Sequence, residues 1–199
     1  HNQVKEAIQG YLASTTYADA QIGRVLDALE YSPYKDNTIV VLLSDHGFHL
    51  GEKQHWAKGT LWEEATNCLL MFRVPGLTIP NHECMRPVTL LDVYPTLIEL
   101  AGLPKPDHLD GHSIVPLLEN INASRSFPAL TAYQSHLTVR TDSYRLIRYT
   151  DGATELYDRG KDPNEWVNQT QNQEYSAIIK RLTAFLPGLD EMAPSVPSK

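Results

Sequence analysis

Asp45 and His46 stand side by side, and Lys58 follows a short loop later. An acid and an imidazole can hold a divalent cation, and a lysine adds a positive charge beside it. A divalent metal with a lysine is what hydrolysis of a sulfate or phosphate ester needs, because charge on the non-bridging and leaving oxygens must be balanced. Calcium and magnesium prefer oxygen ligands, so Asp45 suits direct ligation better than His46 does. The residue types alone leave a second reading open. Asp45 can turn the chain, His46 can hydrogen-bond within a loop, and Lys58 can be a solvated lysine, as most lysines are.

Position favours the chemical reading. Residues 37–43, Asn-Thr-Ile-Val-Val-Leu-Leu, form a β-branched apolar run that reads as a buried strand. Its carboxyl end delivers Asp45 and His46 where open α/β sheets place their ligands. Gly47 and Gly51 let the backbone turn tightly behind them. His49, and less favourably His55, can line a pocket, where a neutral imidazole donates to a hydroxyl or carboxylate. Trp56 and Trp62 can stack on a sugar face or pack in a core. Lys53 reads as a surface charge, as does Arg24. Further on, His136 and Arg140 can reach over a cleft, because a guanidinium suits a carboxylate or sulfate; a strand-end salt bridge would use Arg140 equally well.

Around this loop the pattern predicts an amphipathic helix over 4–30, with Ile8, Leu12, Ile22, Val25, Leu26 and Leu29 mostly on one face, ended by Ser32-Pro33. It predicts strands at 38–43 and 69–74, the second closed by Pro75-Gly76, and a short helix near 61–66. Strand, crossover and strand at this spacing suggest parallel pairing. A short strand is expected at 88–90. Asp92 is expected to cap a helix that Gly102 stops. From 129 onward, short strands at 129–133, 137–141, 144–150 and 154–158 read as an antiparallel meander, followed by a helix over about 174–186.

The chain has 199 residues, 42% of them apolar, and a net charge of −7. That charge argues against nucleic acid or an anionic membrane surface as partner. It does not argue against an anionic substrate, since a local metal and lysine outweigh it. No apolar run approaches the ~20 residues of a membrane span. The first residues show no signal-peptide pattern. Two cysteines make no disulfide framework, and Cys68 reads as a strand residue. Asn122-Ala-Ser124 and Asn168-Gln-Thr170 are glycosylation sequons, with meaning only in a secreted eukaryotic chain.

Read in order, Ser44-Asp45-His46-Gly47, Gly51-Glu52, Trp56-Ala57-Lys58 and Val74-Pro75-Gly76 resemble the second half of a type I sulfatase, within the alkaline phosphatase superfamily. The likeness is greatest to iduronate-2-sulfatase and choline-sulfatase-like members. Leu91-Asp92 with Pro95-Thr96, Leu109-Asp110-Gly111, Val139-Arg140 with Arg145, and Glu155-Leu156-Tyr157-Asp158 extend it over nearly all of 7–186. The resemblance implies an α/β fold: a layered sheet with flanking helices, alkaline-phosphatase-like but incomplete, plus a small C-terminal antiparallel sheet with one helix. The expected division is 1–128 for the α/β portion, 129–187 for the small subdomain, and 188–199 for a disordered tail.

The resemblance also implies roles. Asp45 and His46 would hold one divalent metal, calcium with magnesium as the alternative. Lys58 and His46 would be catalytic, and Lys58, His49, His136 and Arg140 would contact a sulfated small molecule or carbohydrate. Relatives carry a Cys or Ser in Cys/Ser-x-Pro-x-Arg, oxidised to the nucleophile formylglycine, and two further Asp ligands. Neither Cys68 nor Cys84 fits that pattern, and Ser195-Val-Pro197-Ser-Lys199 only approaches it. Formylglycine is therefore expected in an N-terminal sulfatase portion or chain that would be this chain's partner. Lys53 replaces a frequent His, and Asn67-Cys68 replaces a basic residue or His followed by Val. Family members of this type are often secreted, periplasmic or lysosomal. Three alternatives stay open: a phosphodiesterase or phosphonate hydrolase of the same superfamily, a non-enzymatic half docking on an N-terminal chain, and a free-standing metal-binding domain.

Overall fold

The computed structural model describes residues 2–188, and the chain divides into two compact units. The first takes His1–Leu42 and Met71–Thr78; the second takes Leu43–Leu70 and Ile79–Lys199. The tail expected to be disordered lies, from residue 189, outside the described residues.

In the first unit, helix α1 runs Asn2–Glu30, because good helix formers such as Ala, Leu, Gln, Glu, Lys and Arg recur along it and no proline intervenes before Pro33. Ser14, Thr15 and Thr16 bond back to the carbonyls four residues earlier. Of the predicted apolar face, Ile8, Ile22 and Leu29 are half-buried, whereas Leu12, Val25 and Leu26 are exposed. Ser32 ends the helix by donating to the Leu29 carbonyl at 2.7 Å. Strands β1 (Val40–Leu43) and β4 (Leu70–Arg73) pair as a two-stranded sheet. β1 was expected to be buried; both strands are only half-buried, with Leu43 and Met71 exposed, because the sheet has no further strand among the described residues. At Val74–Thr78 the chain turns, and the Thr78 hydroxyl accepts from Val74 N–H at 2.9 Å.

The second unit opens with a hairpin of β2 (His49–Leu50) and β3 (Trp56–Ala57), then α2 (Glu63–Thr66). Helices α3 (Val93–Leu100) and α4 (Val115–Glu119) follow. The strand expected at 88–90 does not form. Thr89 instead starts a 3-10 turn over Leu90–Asp92, with its hydroxyl accepting from Leu91 N–H. Asp92 does not cap α3 through its side chain. Its buried carboxylate accepts from Thr89 N–H and His112 N–H, both at 2.8 Å, and pairs with Arg125 at 2.7 Å. The expected cap serves a tertiary junction because three donors meet there. Gly102 ends α3 at φ 65°, as anticipated.

The meander forms as read: β5 (Ala129–Tyr133), β6 (His136–Arg140), β7 (Tyr144–Arg148) and β8 (Thr154–Asp158), antiparallel throughout. Helix α5 (Ser176–Thr183) follows a 3-10 turn capped by the Asn172 side chain. Register places Val139, Leu146 and Leu156 in one cross-strand row. They pack with Leu137, Tyr175, Leu182 and Leu186 into the main apolar core. On the opposite face, Arg140, Arg145 and Tyr157 form one row and Thr138, Ile147 and Glu155 the next. That face carries Leu61 and Trp62, the residues leading into α2.

Candidate active site

All site elements described here belong to the second unit. After β1, Ser44 N–H donates to the Leu69 carbonyl at 3.0 Å, and Gly47 N–H donates to Ala65 of α2 at 2.9 Å. Gly47 is required: a Cβ there would lie 1.9 Å from the Glu64 carbonyl oxygen. Between these anchors stand Asp45 and His46. Lys58 returns to them on the far side of the β2–β3 hairpin, before Gly59 at φ 96°.

His46 is set in one tautomer. Its Nδ1 lies 2.8 Å from the Gly47 carbonyl, an acceptor, so Nδ1 carries the hydrogen. The lone pair on Nε2 accepts from Lys58 Nζ at 2.9 Å. The Asp45 carboxylate lies 3.4 Å from the same Nε2, with its side chain 82% exposed. Acid, imidazole and ammonium thus converge on one wall of a cavity of about 1030 Å³, which Thr60, Cys68 and Arg140 also line. Burial, together with the nearby Asp45 charge, pushes the Cys68 thiol above its usual value. It is held as a thiol and is a poor nucleophile.

The donors fit a hard divalent cation in part. The Asp45 carboxylate lies 3.4 Å from an imidazole nitrogen whose lone pair Lys58 already takes, and no group of three or more His, Cys, Asp and Glu gathers among the described residues.

The other predicted residues lie elsewhere. His49 is fully buried, its Nε2 is 2.8 Å from the Thr60 hydroxyl, and it does not line the cavity. Burial holds its pKa below the usual value, the neutral form, and its Nδ1 has no partner. It packs edge-on against His55 and Trp62 at 5.0 and 6.0 Å. His136 sits on β6 against Tyr149, accepts from Thr150 N–H at 3.2 Å, and does not line the cavity. Arg140 lines the cavity but donates through Nε to Glu63 at 3.2 Å. Lys53 is no free surface charge: its Nζ lies over the rings of Trp62 and Tyr157, at 4.7 and 4.8 Å.

Sequence reasoning missed the framework that holds this wall. Arg145 pairs with Glu63 and, at 2.6 Å, with Glu165; Arg159 reaches Glu63 at 3.0 Å. Glu165 also accepts from Glu63 N–H at 3.0 Å, so it caps the start of α2. Burial raises the Glu63 pKa, and the guanidiniums of Arg145, Arg140 and Arg159 outweigh it, leaving the carboxyl below its usual value. The available signal was strand alternation: Arg145 lies between Tyr144 and Leu146, so it faces away from the apolar row and needs a partner if that face is covered.

The solved structures to which the chain is similar show an alkaline-phosphatase-like α/β fold with a small antiparallel sheet. A solved structure described as in complex with its substrate D-glucosamine-2-N,6-O-disulfate is similar at a TM-score of 0.77 and 30% identity, over 91% of this chain and 39% of that one. The chain belongs to the family described as N-sulphoglucosamine sulphohydrolase, C-terminal, which it matches over residues 51–191. It is 44% identical over 184 residues to a sulfatase of Formosa agariphila, covering 92% of this chain and 36% of that protein. It is 30% identical to an N-acetylglucosamine-6-O-sulfatase of Bacteroides thetaiotaomicron, covering 92% and 35%. The chain therefore spans about a third of the length of these curated relatives.

Proposed function

We propose that this chain forms the sulfate-holding wall of a sulfatase site that hydrolyses sulfate esters of a carbohydrate. The observation that carries the reading is the Asp45–His46–Lys58 convergence on the wall of a large cavity. The Lys58 ammonium uses one N–H on His46 and has two more for a sulfate oxygen or the departing sugar oxygen. There it balances charge that grows as the S–O bond breaks. His46, held by the Gly47 carbonyl, orients that ammonium. Asp45 would be one ligand of a divalent metal, calcium before magnesium, and His46 a second one only when its Nε2 lone pair is released from Lys58. Such a metal, when bound, polarises the sulfate oxygens.

The named substrates of the relatives support a sulfated amino sugar as the substrate class. The nucleophile would be a formylglycine, whose Cys/Ser-x-Pro-x-Arg setting does not occur in this sequence. With Cys68 held as a thiol, the 199-residue chain by itself is expected to bind sulfated sugar without turning it over. Calorimetry with glucosamine-6-sulfate, with and without calcium, tests the reading. Lys58→Ala should weaken binding about tenfold, the worth of one hydrogen bond to a charged group. Equal binding by Lys58→Ala and the parent chain would overturn it.

A further inference from the structure

A second, smaller cavity of about 240 Å³ lies at the β6–β7 turn, lined in part by Arg125, Arg140, Arg181 and Ser143. Liquid water takes about 30 Å³ per molecule, so it holds a tetrahedral oxyanion with a few waters. Its guanidiniums are only partly used. Arg125 spends Nη2 on Asp92 and Nε on the Phe127 carbonyl, leaving Nη1. Arg140 spends Nε on Glu63 and Nη1 on the Thr141 carbonyl, leaving Nη2. Arg181, in the last turn of α5, has no hydrogen bond or ion pair among the described residues. The one carboxylate on the wall, Asp142, is paired with Arg86.

The charge behind this wall is also unbalanced. Three arginines, Arg140, Arg145 and Arg159, share two carboxylates, Glu63 and Glu165, which leaves one positive charge over. In a chain of net charge −7, this is a local cationic spot. Arg140 and Pro87 line this cavity and the larger one alike, so the two adjoin.

We propose that this cavity is a second anion subsite, which takes another sulfate or a carboxylate of the same substrate whose scissile sulfate lies by Lys58. The proposal rests on the sulfatase reading for the origin of the anion, but not for the presence of the site. One unspent terminal nitrogen on each of Arg125 and Arg140, with an Arg181 guanidinium unpaired among the described residues, gives a cationic donor set suited to planar or tetrahedral oxyanions.

The test follows the amide resonances of Asp142, Ser143 and Lys58 in isotope-labelled protein, titrated with inorganic sulfate and with mono- and disulfated glucosamine. Saturable shifts at Asp142 and Ser143 are expected with sulfate and with the disulfated sugar. Arg181→Ala should weaken the disulfated sugar about tenfold and leave the monosulfated one within about twofold. Lys58→Ala should weaken both. Silent turn amides, or equal loss of both sugars in Arg181→Ala, would overturn the proposal. A turn that responds to sulfate but does not distinguish the sugars marks a free-anion site and overturns the substrate assignment. If Lys58→Ala changes neither sugar while Arg181→Ala still selects the disulfated one, the sulfatase reading fails and the anion site stands.

Discussion

On one face of the β5–β8 sheet, Val139, Leu146 and Leu156 meet Leu182 of α5 with no polar partner to satisfy. On the other, Arg145 is threaded between Glu63 and Glu165, with Arg140 and Arg159 closing the set. The apolar face holds by area, which has no direction and tolerates small shifts of α5. The charged face holds by hydrogen bonds of fixed geometry, and buried charges repay their desolvation only when that geometry is good. Its partners, Glu63 and the Leu61 carbonyl, lie on the segment leading into α2, and α2 in turn holds Gly47 beside Asp45 and His46. The directional face is therefore the one that positions Asp45 and His46.

The sharpest way to break this comparison is Glu165→Ala. It leaves Arg145 without its 2.6 Å partner, and removing one member of a buried pair costs about 3–5 kcal/mol. Urea unfolding should show that loss together with weaker binding of sulfated sugar by the folded fraction; an unchanged midpoint would refute the role given to the charged face. Leu156→Ala, on the apolar face, should cost about 2–5 kcal/mol. The remaining folded molecules should bind sugar as before, and a binding defect there would erase the distinction between the faces. Acid gives a gentler probe. Glu63 has a lowered pKa in the folded state, so its contribution is complete above the unfolded value, about 4.3. That contribution is lost as pH falls further, through the folded pKa. Thermal midpoints taken downward from pH 5 should fall more steeply in the parent than in Glu63→Gln, and parallel curves would contradict this. Least of all, Lys53→Met removes a cation held over two rings and should cost about 1 kcal/mol in the same urea assay.

The elements were legible wherever a single period ruled. The meander announced itself through alternation between turns such as Asp151-Gly152, and its strands lie within two residues of the reading. The loop carrying Asp45, His46 and Lys58 was legible because a strand end and two glycines frame it. Asp92 was misread because a cap residue and a buried junction look alike in sequence; only the fold brings Arg125 and His112 to it. His49 and Lys53 were misplaced for a related reason. A histidine or lysine near a site says nothing about which way the hairpin turns it, and here Thr60, Trp62 and Tyr157 receive them. Arg181 gave no signal at all, since a basic residue in a last helical turn is ordinary.

Gly47 carries a consequence for anyone mapping this protein by mutation. The Glu64 carbonyl occupies the space in which any other residue would place its first side-chain carbon. In a saturation library scored by sugar binding at growth temperature, position 47 would stand beside 58 as intolerant of every replacement. Scored by sugar binding after rescue at low temperature, it would separate from 58, since the acid, imidazole and ammonium would all still be present. The absence of an atom would be scored as if it were a functional group, and only the paired screens would distinguish a backbone that needs room from a side chain that binds.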